Sequence, residues 1–255
     1  LFYGMRLIQF PLGIFGVAMA TAILPSLSSQ ASRGAIHELR ETVNFGLRMV
    51  LFIILPSMVG LMLLRTPIIH LFFEHGAFSA MDTIGTASAL LGFSIGLWAF
   101  ATYRILAMAF YSLQDTKTPA IVAVMSVGLN IGLSLWLMQF LQHTGLALAA
   151  GLAAIGNTLI LTVILGNRLQ GLLWKKLGIS LVRTGIALLP LIAVSSWITG
   201  LPIWHEVGHS PEKAVWLALA LGASAMGYFT VHQLFRSEEL THLKLMLRRK
   251  IKQSS

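Results

Sequence analysis

From Lys117 to Arg168 the sequence reads KTPAIVAVMSVGLNIGLSLWLMQFLQHTGLALAAGLAAIGNTLILTVILGNR, with no Asp, Glu, Lys or Arg between its two ends. A bilayer core about 30 Å thick is crossed by about 20 mostly apolar residues, at a helical rise of about 1.5 Å per residue. The stretch is too long for one crossing and holds two, residues 119–141 and 145–165. Only Gln142, His143 and Thr144 join them, and so short a link makes the pair an antiparallel hairpin. Backbone N–H and C=O groups in lipid must pair within their own segment, which runs of this length achieve as helices. The stretch predicts an all-α polytopic membrane protein.

Working outward, residues 7–24, 43–64, 84–111, 179–198 and 214–235 have the same character, so about seven transmembrane helices are expected. The third, 84–111, is long for one crossing and predicts tilt or a projection beyond the membrane. Hydrophobic residues make up 56% of the chain and charged residues 11%, against about 25% charged in a soluble domain. Mean hydropathy is +0.80. A net charge of +9 would point to nucleic acid if the basic residues shared one face of a soluble fold. Here they lie between apolar runs, so no nucleic-acid partner is expected. The chain has no cysteine, which excludes a disulfide framework and a thiolate metal site. It starts at Leu1 without an initiator Met or a signal-peptide pattern, and reads as a piece of a longer protein with helices upstream.

The basic residues set the expected orientation. With seven spans, one side of the membrane receives Arg33, Arg40, Arg48, Lys117, Arg168, Lys175, Lys176, Arg183, Arg236, Lys244, Arg248, Arg249, Lys250 and Lys252; the other receives Arg65 and Lys213. The positive-inside rule makes the first side cytoplasmic, with the N-terminus outside and the C-terminus inside.

Two arginines fall at or within spans: Arg6 at the head of the first and Arg104 deep in the third. An Arg at the bilayer centre costs at least about 2.5–3.5 kcal/mol on insertion scales, so such a residue faces a cavity or a partner, or snorkels to the interface. Guanidinium keeps its charge and forks onto phosphate oxygens, which suits an anionic headgroup. Gln9, Asn130, Gln139 and Asn157 add hydrogen-bonding groups, each readable as interhelical glue or as the lining of a polar path. Pro11, Pro56 and Pro190 sit inside spans and predict kinks. Gly92 and Gly96 form a GxxxG pair, and Gly13 and Gly16 also leave a small face, both read as ordinary close packing before a dimer motif. His205-Glu206-Val207-Gly208-His209 spells the zinc-protease signature H-E-x-x-H. That chemistry needs a helix and a third ligand, whereas here the motif sits in a short segment between Pro202 and Pro211. No metal or other cofactor is expected. The tail 236–255 mixes basic residues with Leu240, Leu243, Leu245, Met246 and Ile251. It reads as an inner-leaflet anchor, either generic or a surface helix on anionic lipid.

Three stretches carry a family resemblance. The first runs Arg6-Leu7-Ile8-Gln9-Phe10-Pro11-Leu12-Gly13-Ile14-Phe15-Gly16-Val17-Ala18 and on to Leu24-Pro25-Ser26-Leu27-Ser28. The second is Leu71-Phe72-Phe73-Glu74-His75-Gly76-Ala77-Phe78-Ser79-Ala80-Met81-Asp82-Thr83. The third is Phe110-Tyr111-Ser112-Leu113-Gln114-Asp115-Thr116-Lys117-Thr118-Pro119. In this order and spacing they resemble the MurJ/MviN lipid II flippases of the multidrug/oligosaccharidyl-lipid/polysaccharide exporter superfamily, through about Lys176. The resemblance implies spans eight to fourteen of a fourteen-helix protein. It divides the chain into a flippase lobe (1–176), two further spans forming a groove for the lipid tail (177–235) and a basic cytoplasmic tail (236–255).

The resemblance also implies transport of lipid-linked peptidoglycan precursor, lipid II, from the inner to the outer leaflet of the bacterial cytoplasmic membrane, by alternating access. The work would be shared with an N-terminal lobe absent from this chain. Arg6 matches the family's cavity arginine, and Arg104 stands where the family often has lysine. Arg6, Gln9 and Arg104 are therefore the candidate substrate-binding residues, with lipid II and membrane lipids as the expected partners. The sequence departs from the family at Met5 and Gln9, where some members carry acids, and at His75, where arginine is common. The remaining alternatives are a drug or polysaccharide exporter of the same superfamily, a membrane zinc peptidase, and a remnant that transports nothing.

Overall fold

The computed structural model describes residues 1–73, 80–205 and 211–244. Among them the elements are helical: α1 (Phe2–Pro11), a π-helical segment (Leu12–Val17), α2 (Ala18–Ser32), α3 (Ile36–Leu63), α4 (Arg65–Phe73), α5 (Ala80–Ile95), α6 (Leu97–Ser112), α7 (Lys117–Arg168), α8 (Trp174–Thr199), a 3-10 turn (Pro202–His205) and α9 (Pro211–Leu234). Six helical runs in the described residues are long and apolar enough to cross a membrane.

The run that counts once but crosses twice is α7. Its 52 residues are interrupted at Gln142, whose φ of 48° and ψ of −126° are not helical. The chain reverses there. Ser126 Oγ donates to the Ala153 carbonyl at 3.0 Å, and a Cβ on Gly145 would lie 2.5 Å from the Leu137 carbonyl oxygen. These contacts pair the limbs 117–141 and 143–168 antiparallel, so the seven crossings expected from hydropathy are present.

The long third crossing is broken rather than simply tilted. Gly96 separates α5 from α6, and its N–H bonds three residues back, to Phe93, at 3.1 Å. A Cβ on Gly96 would clash with the Gly151 Cα, and one on Gly92 would lie 2.9 Å from the Leu148 nitrogen. The GxxxG pair thus lets α5 touch the second limb of α7 backbone to backbone, inside one chain. Thr158, from that limb, donates to the Ala99 carbonyl at 2.9 Å and fixes the same crossing.

One large apolar core joins the first five crossings, with Ile8, Leu27, Val43, Leu90, Phe110 and Leu161 among its buried members. The last two crossings attach through α3 and α4, the latter in a second apolar cluster with Ile68, Ile198 and Leu217. Proline has no N–H, so Pro56 leaves the Phe52 carbonyl four residues back without its helical donor. The Tyr228 hydroxyl of α9 donates to that carbonyl at 2.6 Å, and Phe52 and Tyr228 are both buried. Pro190 of α8 serves differently: a Cβ on Gly227 would lie 2.8 Å from its Cβ, so the α8–α9 contact needs glycine there. Tyr228→Phe should strand a buried carbonyl at a cost of about 1–3 kcal/mol. The expected readout is a thermal unfolding midpoint in detergent lowered by about 2–4 °C per kcal/mol. An unchanged midpoint would mean that this bond does not hold α9 to α3.

The start of the tail also docks on protein. Residues 238–244 are helical, and Leu240 is buried with Phe52, Ala187 and Tyr228. Arg48 Nη1 lies 2.8 Å from Glu238 Oε2 and 3.2 Å from Glu239 Oε1. Ser180 Oγ donates to Glu239 at 2.9 Å. The hydrogen bond from Arg48 leads the causes that hold the Glu238 carboxyl below its ordinary range. This part of the tail clamps α3 to α8.

Ion pairs join Arg33 to Glu38, Lys176 to Glu41 and Arg168 to Asp115, and Arg40 reaches the Gln170 carbonyl. These contacts gather the basic turns at one end of the bundle, as the charge bias requires. At the other end Arg65 donates to the Met62 carbonyl at the end of α3. Lys213 is buried, with its Nζ 3.3 Å from His70 Nε2.

Candidate functional site

The first crossing is built from two helices with a wider turn between them. Pro11 removes the donor that would bond the Leu7 carbonyl, and the π-helical segment begins at the next residue. Such insertions are uncommon and concentrate at functional positions. Gly4, Ile8, Pro11, Leu12, Gly16, Ala20, Ile23 and Leu27 are buried against the bundle. A Cβ on Gly4 would sit 3.4 Å from the Leu90 nitrogen, so α1 lies close on α5.

The opposite face is exposed from end to end and includes Arg6, Gln9, Phe10, Gly13, Ile14, Thr21 and Ser28. A face meant only for lipid would not carry Arg, Gln, Thr and Ser along one stripe. Arg6 and Gln9 are three residues apart, which places them on neighbouring positions of one helical side. The Arg6 guanidinium carbon lies 4.5 Å from the centre of the Phe2 ring. The ring face attracts the cation without neutralising it. Among the described residues no carboxylate comes within ion-pair distance of Arg6, so its charge is available to an anionic ligand.

Arg104 reaches the same crossing from α6 and is half-buried. A Cβ on Gly16 would lie 3.4 Å from Arg104 Cδ and 3.8 Å from Nε, so the arginine stem runs across the bare backbone of Gly16. Ten residues separate Arg6 from Gly16, about 15 Å along a helix. The structure therefore brings Arg6 and Gln9 to one side of α1 and sets Arg104 at a deeper level of the same crossing. Asn130, Gln139 and Asn157 lie on α7 instead; Asn130 accepts a bond from Ser134 at 3.2 Å. Sequence reasoning read Gly16 only as part of a small packing face with Gly13; that Arg104 crosses it needs the position of α6, and the serine and threonine bonds of α7 gave no signal in the sequence.

The Phe110–Pro119 motif has a structural purpose. Asp115 accepts bonds from the Thr118 N–H at 2.9 Å and the Thr118 hydroxyl at 2.6 Å, which caps α7. Its other contact, Arg168 at 2.6 Å, closes the charged end of the hairpin. Thr118 is the first cause, and the Arg168 charge a further one, holding the Asp115 carboxyl below its ordinary range. A carboxyl lowered in the fold keeps its contacts at neutral pH and loses them only as pH falls through that lowered value. In the second motif, residues 74–79 lie outside the described residues, as do Glu206 to His209 of the H-E-x-x-H segment.

The family model of the lipid II flippase MurJ matches residues 1–209. The chain belongs to this family. The match passes the Lys176 limit of the motifs and takes in the sixth crossing, and it sets aside the drug or polysaccharide exporter. A probable lipid II flippase MurJ of Vibrio cholerae is 35% identical over 91% of this chain and 44% of its own length. One from Rhizobium tropici is 38% identical over 68% of this chain and 32% of its length. A solved lipid II flippase MurJ in an inward closed conformation superposes with a TM-score of 0.74 at 26% identity, covering 91% of this chain and 46% of that one. The chain thus spans less than half the length of these MurJ relatives. It is a multi-pass membrane protein of a transporter family.

Proposed function

We propose that this chain forms the C-terminal lobe of a carrier that moves lipid II from the inner to the outer leaflet of the bacterial cytoplasmic membrane. The observation that carries the reading is the exposed polar face of the first crossing, with the Arg6 charge uncompensated among the described residues. A pyrophosphate does not cross hydrocarbon bare and needs cations in a wet cavity. Arg6 is the phosphate-contacting group, Gln9 a neighbouring hydrogen-bonding group and Arg104 a second cation deeper in the path. Residues 1–176 form the lobe, 177–235 a groove in which the polyprenyl tail stays in lipid, and 236–255 the cytoplasmic tail. An N-terminal lobe supplies the opposite wall, and alternating access is rocking of one lobe against the other.

Complementation tests the reading. In a strain depleted of its own flippase, this chain expressed with the N-terminal half of a relative should restore growth. Failure of a stable, membrane-inserted pair to do so would overturn it. Orientation has its own check: cysteines at Ser29 and Gln170 should react only with cytoplasmic access, and one at Gln142 from outside. Labelling of Gln142 and Gln170 from one side would break the hairpin topology.

A further inference from the structure

We propose that a polar pocket at the charged end of the bundle seats a phospholipid headgroup in which a phosphodiester is joined to a hydrogen-bond donor. The pocket lies between α3 and the start of α8, holds about 280 Å³, and is lined by Glu41, Asn44, Phe45, Arg48, Leu173 and Lys176. The spacing of Glu41, Asn44, Phe45 and Arg48 puts them on one side of α3.

Two buried polar atoms in it are unmatched. Asn44 is only 1% exposed; its Nδ2 donates to the Leu173 carbonyl at 3.3 Å, and its Oδ1 has no hydrogen-bond partner among the described residues. Arg48 spends Nη1 on Glu238 and Glu239, while its Nε is buried without a hydrogen-bond partner among the described residues. An unmet acceptor and an unmet donor thus sit one helical turn apart. Beside them the Lys176–Glu41 pair, at 3.2 Å, adds one further charge of each sign.

An anion alone would match Arg48 and Lys176 but leave Asn44 Oδ1 and Glu41 facing it, beside the Glu238 and Glu239 carboxylates already paired with Arg48. A cation alone would do the reverse. A phosphodiester with an attached ammonium or hydroxyl meets both sets, its phosphate toward Arg48 Nε and Lys176 and its donor toward Asn44 Oδ1 and Glu41. The volume is at the lower end of ligand pockets, which hold about 300–1,000 Å³; it fits a headgroup, with the acyl chains outside. Trp174, 57% exposed at the start of α8, is the residue type that marks the headgroup level of a bilayer. The site is at the opposite end of the first crossing from Arg6 and does not depend on the flippase reading.

The test is native mass spectrometry of the detergent-purified chain, titrated separately with dioleoyl phosphatidylethanolamine, phosphatidylglycerol and phosphatidylcholine. One equivalent of the first or second should survive activation that strips the choline lipid, whose headgroup lacks a donor. Retention of the ethanolamine lipid alone assigns the ammonium as donor, of the glycerol lipid alone the hydroxyl. Arg48→Lys keeps a cation opposite Glu238 and Glu239 but removes Nε, and Lys176→Gln alters a side chain that is 56% exposed. Each should lower retention about tenfold, the scale of one charged hydrogen bond, with thermal unfolding showing the fold intact. Should Arg48→Lys fail to fold, Lys176→Gln decides. Equal retention of all three lipids, or unchanged retention in the folded variants, would overturn the proposal.

Discussion

Arg6→Ala should abolish rescue of a strain depleted of its lipid II flippase, in the same pairing with an N-terminal half, while Arg6→Lys keeps part of it. The side chain lies on the exposed face of the first crossing, stacked on Phe2 and without a carboxylate partner among the described residues. The side chain is exposed, so its loss should leave insertion and expression intact. What disappears is a charged, forked contact to phosphate. A hydrogen bond to a charged group contributes about 1.5–3 kcal/mol, or roughly a 10- to 150-fold change in a rate or affinity, and Arg6 can offer two. Lysine restores the charge without the planar fork, hence the partial function. Arg33→Ala is the matched control: Arg33 pairs with Glu38 at 3.3 Å with both side chains well exposed, and such pairs contribute about 0–1 kcal/mol. Full rescue by Arg6→Ala at normal expression would remove Arg6 from the mechanism.

Why the sequence announced the charge of Arg6 but read Gly16 only as part of a small face is a matter of what each needs. A charge at the head of an apolar run is abnormal in any fold, so Arg6 stands out with no knowledge of its neighbours. Gly16 is one glycine among 23, and its role exists only because Arg104 crosses it from a helix far away in the chain. The same division runs through the fold. The α7 hairpin was legible because the membrane limits how long an apolar run can be, and three residues leave one way to turn. The break at Gly96 was not, because length alone cannot tell a tilted helix from two helices meeting at a glycine. Pro56 gave notice of a missing hydrogen bond, but not that Tyr228, 172 residues later, would replace it. For the tail, composition left a generic anchor and a surface helix on anionic lipid both open, and could not show that its start docks on protein. The deciding partner, Arg48 on α3, is remote in sequence.

The chain on its own should insert in a membrane but should not translocate lipid II. A path between two lobes needs two walls, and alternating access needs two bodies that rock against each other. This chain covers 44% of its Vibrio relative and 46% of the solved flippase, and Arg6 lies on a surface that no described residue covers. In a bilayer that stripe, with Arg6, Gln9, Thr21 and Ser28 exposed, would face hydrocarbon along much of its length. Polar groups there are costly, and a single central charge costs at least about 2.5–3.5 kcal/mol. The chain should therefore seek a partner: another copy of itself, seen as oligomers on size exclusion, or the N-terminal half of a relative, seen as co-purification. Reconstitution in liposomes with labelled lipid II reads the outcome. The chain alone should give the background rate, and the two halves together a rate above it that Arg6→Ala removes. Translocation by the chain alone, sensitive to Arg6→Ala, would show that one lobe is enough, with two copies facing each other across their Arg6 stripes as the geometry to examine next.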